Sequence, residues 1–151
     1  MKNRYQLKNF ILIILLFAVF FISLNHCNKS KVKKMHVNKY IYSDGNGNSY
    51  NISISQGKYY LKYNPVTPKR SSSGIYSGGI AKNVVLEKQA FEKLLILFEK
   101  AKTNKEIHLD KRIMTSGLII YVFSKNTERY IIEGSSKENK DILSFLKSLL
   151  K

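Results

Sequence analysis

The chain has 151 residues, a formal net charge of +16 at pH 7 and a single cysteine. Beyond one apolar N-terminal stretch, the remainder is long enough for one compact domain and too short for two. A single cysteine excludes an intramolecular disulfide and an all-cysteine zinc site. Packing must therefore hold the fold together.

The net positive charge of the chain limits the classes of partner that it would bind. Segment 1–27 carries three basic residues and no acid, so +13 of the formal charge remains on the rest of the chain. Such a field attracts nucleic acid, anionic lipid or an acidic protein without selecting among them. Only four of the 26 basic residues are arginines, the side chain that usually reads phosphates and bases. The composition thus argues against nucleic acid and leaves anionic lipid or an acidic protein.

An uncharged apolar stretch at residues 10–24 follows a short basic N-terminus. Its length fits the core of an export signal and falls below the ~20 residues that span a bilayer comfortably. We predict a signal peptide or membrane anchor at 1–27 and a basic linker at 28–37. The protein is predicted to be exported to the bacterial cell envelope. The linker lysines outnumber the basic residues before the stretch, and by charge bias alone they would favour a cytoplasmic orientation.

The apolar stretch ends in Leu24, Asn25, His26 and Cys27. This resembles a bacterial lipoprotein signal, in which a leucine stands three places before the lipid-bearing cysteine. The resemblance implies cleavage before Cys27 and acylation of its thiol. His26 departs from the pattern, which has a small residue there, and an uncleaved anchor with an incidental cysteine is the alternative.

Residues 38–151 are predicted to form a single α+β domain, with an antiparallel sheet of about five to six strands and two helices packed on one face. Alternating apolar residues and turn motifs indicate strands, and apolar residues at helical spacing indicate helices. A capping box at Ser135 and Glu138 is predicted to open the last helix. The predicted order is βββ(β)αββα, with strands at 39–42, 50–55, 58–63, 81–86, 116–124 and 128–133, helices at 87–102 and from 135 onwards, a loop at 64–79 and an extended connector at 106–114.

A serine- and glycine-rich loop flanked by cations is a candidate binding loop. Backbone N–H groups in such a loop can cradle an anion. The loop lacks the ending of a phosphate-binding P-loop and the pattern of a nucleophile elbow, so a purely structural loop is the alternative. The candidate residues are Lys69, Arg70, Ser71, Ser72, Ser73, Gly74, Tyr76, Ser77, Gly78 and Gly79.

Four segments between residues 58 and 120 resemble a known group of proteins. They are Tyr63 to Pro65, the Ser-Ser-Ser-Gly-x-Tyr-Ser-Gly-Gly loop at 71–79, Phe91, and Arg112 to Gly117. On these residues the chain is similar to a family of small exported, lipoprotein-like proteins of Bacteroidota-type bacteria. The resemblance implies a common family and export, and it implies no activity.

Two further groups of residues resemble known catalytic or metal-binding patterns. His108 and Asp110 fall on one face of an extended segment, and with a loop serine they would form a hydrolytic triad. Asp44, Asn46 and Asn48 match the start of a calcium loop, but residues 49 and 55 are serines where the motif needs glycine and glutamate. The sequence implies no cofactor and nominates no metal site.

Tyrosines concentrate in the first three strands, where they would offer rigid contact area with a polar tip. The candidate aromatic face consists of Tyr40, Tyr42, Tyr59 and Tyr63. The function predicted is a membrane-tethered, exported, non-catalytic domain that interacts with protein or the envelope. The alternatives are an immunity-type protein that neutralises an acidic toxin, and a hydrolase using His108, Asp110 and the serine loop. The sequence does not specify an oligomeric state.

Overall fold

The computed structural model describes residues 37–151, so the predicted signal or anchor at 1–27, including Cys27, and the linker up to residue 36 lie outside the described residues. Residues 35–151 form one compact unit by themselves. Among the described helices, none is both long enough and apolar enough to cross a bilayer. The elements are β1 (Val37–Ser43), β2 (Ser49–Ser55), β3 (Lys58–Asn64), β4 (Lys82–Leu86), α1 (Lys88–Thr103), β5 (Gly117–Phe123), β6 (Thr127–Ile132) and α2 (Lys137–Ser148).

The six strands form one antiparallel sheet in the order β4-β3-β2-β1-β5-β6. The predicted α+β class and element order are therefore confirmed. A tight turn joins β2 to β3, and both of its residues, Gln56 and Gly57, have positive φ. Two positive φ values match the twist of a two-residue hairpin, which explains the glycine at this position.

Both helices pack against the same face of the sheet. Tyr42, Ile52 and Leu61, from three neighbouring strands, are completely buried on that face. From α1, Phe91 stacks on Tyr59 with ring centroids 4.2 Å apart. The buried stripe of α2 includes Ile142 and Leu146, as its apolar spacing predicts.

The four tyrosines predicted as an aromatic binding face belong to this core, and that interpretation is wrong. Tyr42 is 0% exposed and Tyr63 is 8% exposed. Tyr40 and Tyr59 are half-buried and both contact Phe91. Strand composition favours tyrosine in a core as much as in a binding surface, and the strands alone do not specify which face the helices will cover.

A buried hydrogen bond joins the centre of the sheet to α2. The Tyr42 hydroxyl donates to Asn139 Oδ1 over 2.8 Å, and Asn139 Nδ2 donates to the Gly134 carbonyl over 3.2 Å. Burial raises the pKa of Tyr42 far above its ordinary value, so the hydroxyl keeps its proton. A Cβ on Gly117 would stand 2.1 Å from Asn139 Oδ1, so glycine is required there.

Two local predictions differ from the structure. The N-cap of α2 is Ser136 and not Ser135, because the Ser136 hydroxyl accepts from the Asn139 amide. The predicted extended connector begins instead with a 3-10 turn at Lys105–Ile107. Asn104 favours that turn, since its side chain accepts from the Glu106 amide.

We expect Asn139→Ala to lower the free energy of unfolding of fragment 35–151 by about 2 kcal/mol, because it leaves the buried Tyr42 hydroxyl without an acceptor. Urea unfolding of Asn139→Ala, Tyr42→Phe and the double variant would measure the coupling between the two residues. A coupling energy of about 1 kcal/mol or more is expected. Strictly additive effects would contradict a direct contribution of this hydrogen bond.

Candidate binding surface

The strand residues that point away from the helices form a second surface, which we call the open sheet face. Both helices lie on the opposite side, where Phe91, Phe98 and Asn139 contact inward-facing tyrosines. The apolar members of the open sheet face are Ile41, Tyr60, Val85, Leu118, Ile120, Val122 and Ile131, and its charged members are Lys39, Lys58, Lys62 and Arg129.

The aliphatic members other than Val85 lie on three adjacent strands, β1, β5 and β6. Ile41 of β1 pairs with Ile120 of β5, and Leu118 pairs with Ile131 of β6. All four are partly exposed, and none belongs to the core cluster on the other side. Because neighbouring strands lie ~4.8 Å apart, this patch is about 10 Å wide across the strands. The sheet therefore presents branched apolar side chains on both faces, although the two described helices cover only one.

The charges on the open sheet face all have one sign. Lys39 pairs with Val122, and Arg129 pairs with Ile120, so cations border the aliphatic patch directly. Among the described strand residues that face this side, none is acidic. Glu128 of β6 points the other way, to Lys102 of α1. The other acids lie on helices, turns and connectors, and Glu133 follows the end of β6.

The predicted binding loop is exposed but internally bonded. The amides of Ile75 and Tyr76 donate to Ser73 Oγ, and the Gly79 amide donates to Ser77 Oγ. The amides of residues 70, 71, 74 and 78 donate to carbonyls within residues 66–71. Because these N–H groups already have acceptors, an anion would have to compete with the loop for them. The geometry favours the structural interpretation of this loop over an anion cradle.

Asn48 holds the loop against the sheet, a role that the sequence did not indicate. It is 3% exposed, and its Nδ2 donates to Asp44 Oδ2 and to the Tyr76 hydroxyl, both over 2.8 Å. Its Oδ1 accepts from the Val66 amide over 2.9 Å. Arg112 closes the arrangement by donating to the Asp44 carbonyl over 2.6 Å. The residues that begin like a calcium loop thus act as a clamp for the chain between β3 and β4.

The predicted hydrolytic groups do not converge. The His108 ring nitrogen Nε2 lies 2.9 Å from the Ala101 carbonyl, and His108 pairs with Ile132 at the outer edge of β6. The serine loop is anchored at Asn48, beside β2, so β6, β5 and β1 lie between it and His108. The four strand spacings amount to about 19 Å. Nothing in the described residues brings Asp110 and a loop serine to His108, so the geometry does not carry a hydrolase.

Lys102 forms the most concentrated charged cluster on the helix side. Its Nζ lies 2.9 Å from Glu128 Oε2 and 4.6 Å from the centre of the Tyr121 ring. Burial lowers the pKa of Lys102, but the hydrogen bond to Glu128 and the nearby Tyr130 and Glu128 outweigh it, and the net pKa is raised. A lysine held in its charged form is not a nucleophile. This cluster therefore ties α1 to β6.

One shallow pocket of about 290 Å³ lies between the end of the loop and the C-terminus of α2. Tyr63, Ile80 and Leu150 contribute to its wall. Two cations line it, Lys82 and Lys147, and Lys82 donates a hydrogen bond to the Leu150 carbonyl. The open sheet face combines an aliphatic patch with four cations that form no ion pair among residues 37–151, and it is the better candidate surface.

Comparisons of the chain with protein-family models, with curated proteins and with solved structures found no match. Among residues 37–151, no group of three or more histidine, cysteine or acidic side chains could hold a metal ion.

We expect Asn48→Ala to release the loop at 64–80 from the sheet, because it removes three side-chain hydrogen bonds at a buried position. Limited proteolysis should then cleave the loop at least several-fold faster. Ser72→Ala, an exposed change in the same loop, serves as the matched control and should leave the rate unchanged. Equal cleavage rates for Asn48→Ala and the unaltered protein would contradict the clamp.

We expect Glu128→Gln to destabilise the domain more at pH 7 than at pH 3. Hydrogen bonds from Lys102 and then Tyr130 lower the pKa of Glu128 below its ordinary value. The stability that its charge contributes is complete above the ordinary pKa and is lost as the pH falls through the lowered value. Urea midpoints for both proteins at the two pH values test this, and a constant difference would exclude the ion pair as its cause.

Proposed function

We propose that this protein is a non-catalytic docking domain, held at a bacterial membrane by its N-terminal segment, which binds an anionic partner through the open sheet face. The observation that carries the proposal is the composition of that face. It combines a cluster of partly exposed aliphatic residues with four cations, and its described strand residues include no acid. Apolar area supplies affinity, and charge of a single sign selects the partner.

The distribution of charge over the domain supports binding of an anionic partner at one face. Residues 37–151 contain 19 basic and ten acidic residues, so the described domain carries a formal +9. The acids are placed on the helix side and in the connectors, where several have cationic neighbours such as Lys88 beside Glu92 and Lys137 beside Asp141. An anionic partner would therefore meet attraction at the open sheet face and a mixed field elsewhere.

The proposed tether is segment 1–27, with acylation of Cys27 as its proposed form. The intact mass of the chain recovered from membranes of a bacterial host would test it. A diacyl or triacyl mass that begins at Cys27 would support a lipoprotein, whereas an unprocessed mass from Met1 would support a signal anchor. Recovery of the whole population in the soluble fraction would contradict a tether of either kind.

We expect fragment 35–151 to be retained on immobilised poly-glutamate through the open sheet face. The variant in which Lys39, Lys58, Lys62 and Arg129 are all changed to Gln should elute at clearly lower salt. The matched control changes Lys100, Lys137, Lys140 and Lys147, on α1 and α2, to Gln and alters the net charge equally. Equal elution of the two variants would mean that net charge alone causes retention, which would refute the proposed face.

A further inference from the structure

We infer that the anionic partner of the open sheet face is the surface of the membrane to which the chain is tethered. This inference rests on the proposed function, since it names the partner of the same face. The chemistry recognised is that of phosphate-bearing lipid headgroups lying over an apolar layer. Lysines and Arg129 would meet the headgroups, and the aliphatic patch would meet the boundary with the acyl chains.

The side chains of the open sheet face fit a lipid surface better than a protein. Three of its four cations are lysines, and Arg129 is the only arginine among the described strand residues on that side. Protein interfaces are depleted in lysine and enriched in arginine, whose planar fork pairs with a carboxylate in one geometry. Lysine is a compact, hydrated charge, which suits the diffuse charge of mobile headgroups.

The apolar residues of the open sheet face have the size and branching that suit shallow insertion into the headgroup region of a bilayer. Ile41, Leu118, Ile120 and Ile131 stand together on three adjacent strands and remain partly exposed. Val85, at the edge strand β4, is 61% exposed on the same face. Each aliphatic group that leaves water for the boundary with the acyl chains contributes in proportion to the apolar area it buries.

The chain outside the described residues is short enough to hold this face at the membrane. Val37, the first residue of β1, stands ten residues beyond Cys27. Ten extended residues span at most about 36 Å. A tether of that length keeps the local concentration of the domain at the bilayer high, so weak contacts suffice for docking.

Two of the four cations, Lys39 and Lys58, lie towards the end of the sheet where β1 begins, whereas Lys62 and Arg129 lie level with Ile41. Val37 pairs with Phe123 at the end of β5, and Lys125 lies in the turn that follows. Lys58 pairs with Ser55 at the same end. Glu133 follows the opposite end of β6. The end of the sheet at which β1 begins is therefore cationic on this face.

Vesicle binding tests the inference directly. Fragment 35–151 contains the whole described core and lacks the apolar segment, which would insert into any bilayer. Its partition coefficient is measured by co-sedimentation with vesicles of phosphatidylcholine alone and with phosphatidylglycerol added. We expect measurable binding only to the anionic vesicles, weakening steeply as salt is raised.

The variants that distinguish a docking face from net charge are those used on poly-glutamate. Removing one lysine near an anionic surface lowers partition about fivefold, so the sheet-face variant should lose more than a hundredfold. The helix-side control, with the same net charge, should lose about tenfold or less. Ile120→Asn, which keeps every charge, should also weaken binding severalfold. Circular dichroism melting of each variant ensures that a loss is not due to unfolding.

Four outcomes would overturn the inference. Equal losses in the two charge variants would mean non-specific attraction, and unchanged binding by Ile120→Asn would exclude insertion of the aliphatic patch. Face-dependent retention on poly-glutamate without vesicle binding would leave the proposed function standing and make the partner an acidic protein. A dimer in light scattering that the sheet-face variant dissociates would instead make the occupant a second copy of the chain.

Discussion

Alternate side chains along each strand point to opposite faces of the sheet, and the two helices cover only one of those faces. The consequence is clearest in β1, which lies inside the sheet between β2 and β5. Tyr40 and Tyr42 point into the core beneath α1, whereas Lys39 and Ile41 point outwards. One short segment thus supplies both the centre of the core and the middle of the candidate surface, so neither can shift without the other.

The polar contacts inside the domain hold its parts in place. The Tyr42 hydroxyl and Asn139 fix α2 over the middle of the sheet, and Asn48 fixes the long loop at the end of β2. Lys102 and Glu128 join α1 to β6. In each case the polar groups are hydrogen-bonded to one another. None of these clusters is therefore a good candidate for a catalytic or binding site. The cations of the open sheet face differ from them, since they point to the side that the described helices leave uncovered.

The difference between the two faces of the sheet connects the fold to the proposed role at a membrane. A domain with helices on both sides of its sheet would present mixed helical surfaces all round, as the charges of α1 and α2 illustrate. Here one face carries an aliphatic patch on β1, β5 and β6 with Lys39 and Arg129 beside it, and its described strand residues include no acid. Aliphatic side chains bordered by cations suit the headgroup region of an anionic bilayer, which is the proposed partner.

The sequence by itself determined the α+β class, the order of the elements and the apolar positions of the helices, because hydrophobic period and turn residues are local properties. It also determined that Leu61 and Lys62 face opposite sides of β3. Only the tertiary structure decided which side the helices cover, and hence that Tyr42 and Tyr63 are core residues while Ile41 and Ile120 remain at a surface. The clamp made by Asn48 and the bond from Tyr42 to Asn139 were likewise beyond prediction, since each joins residues far apart in the chain.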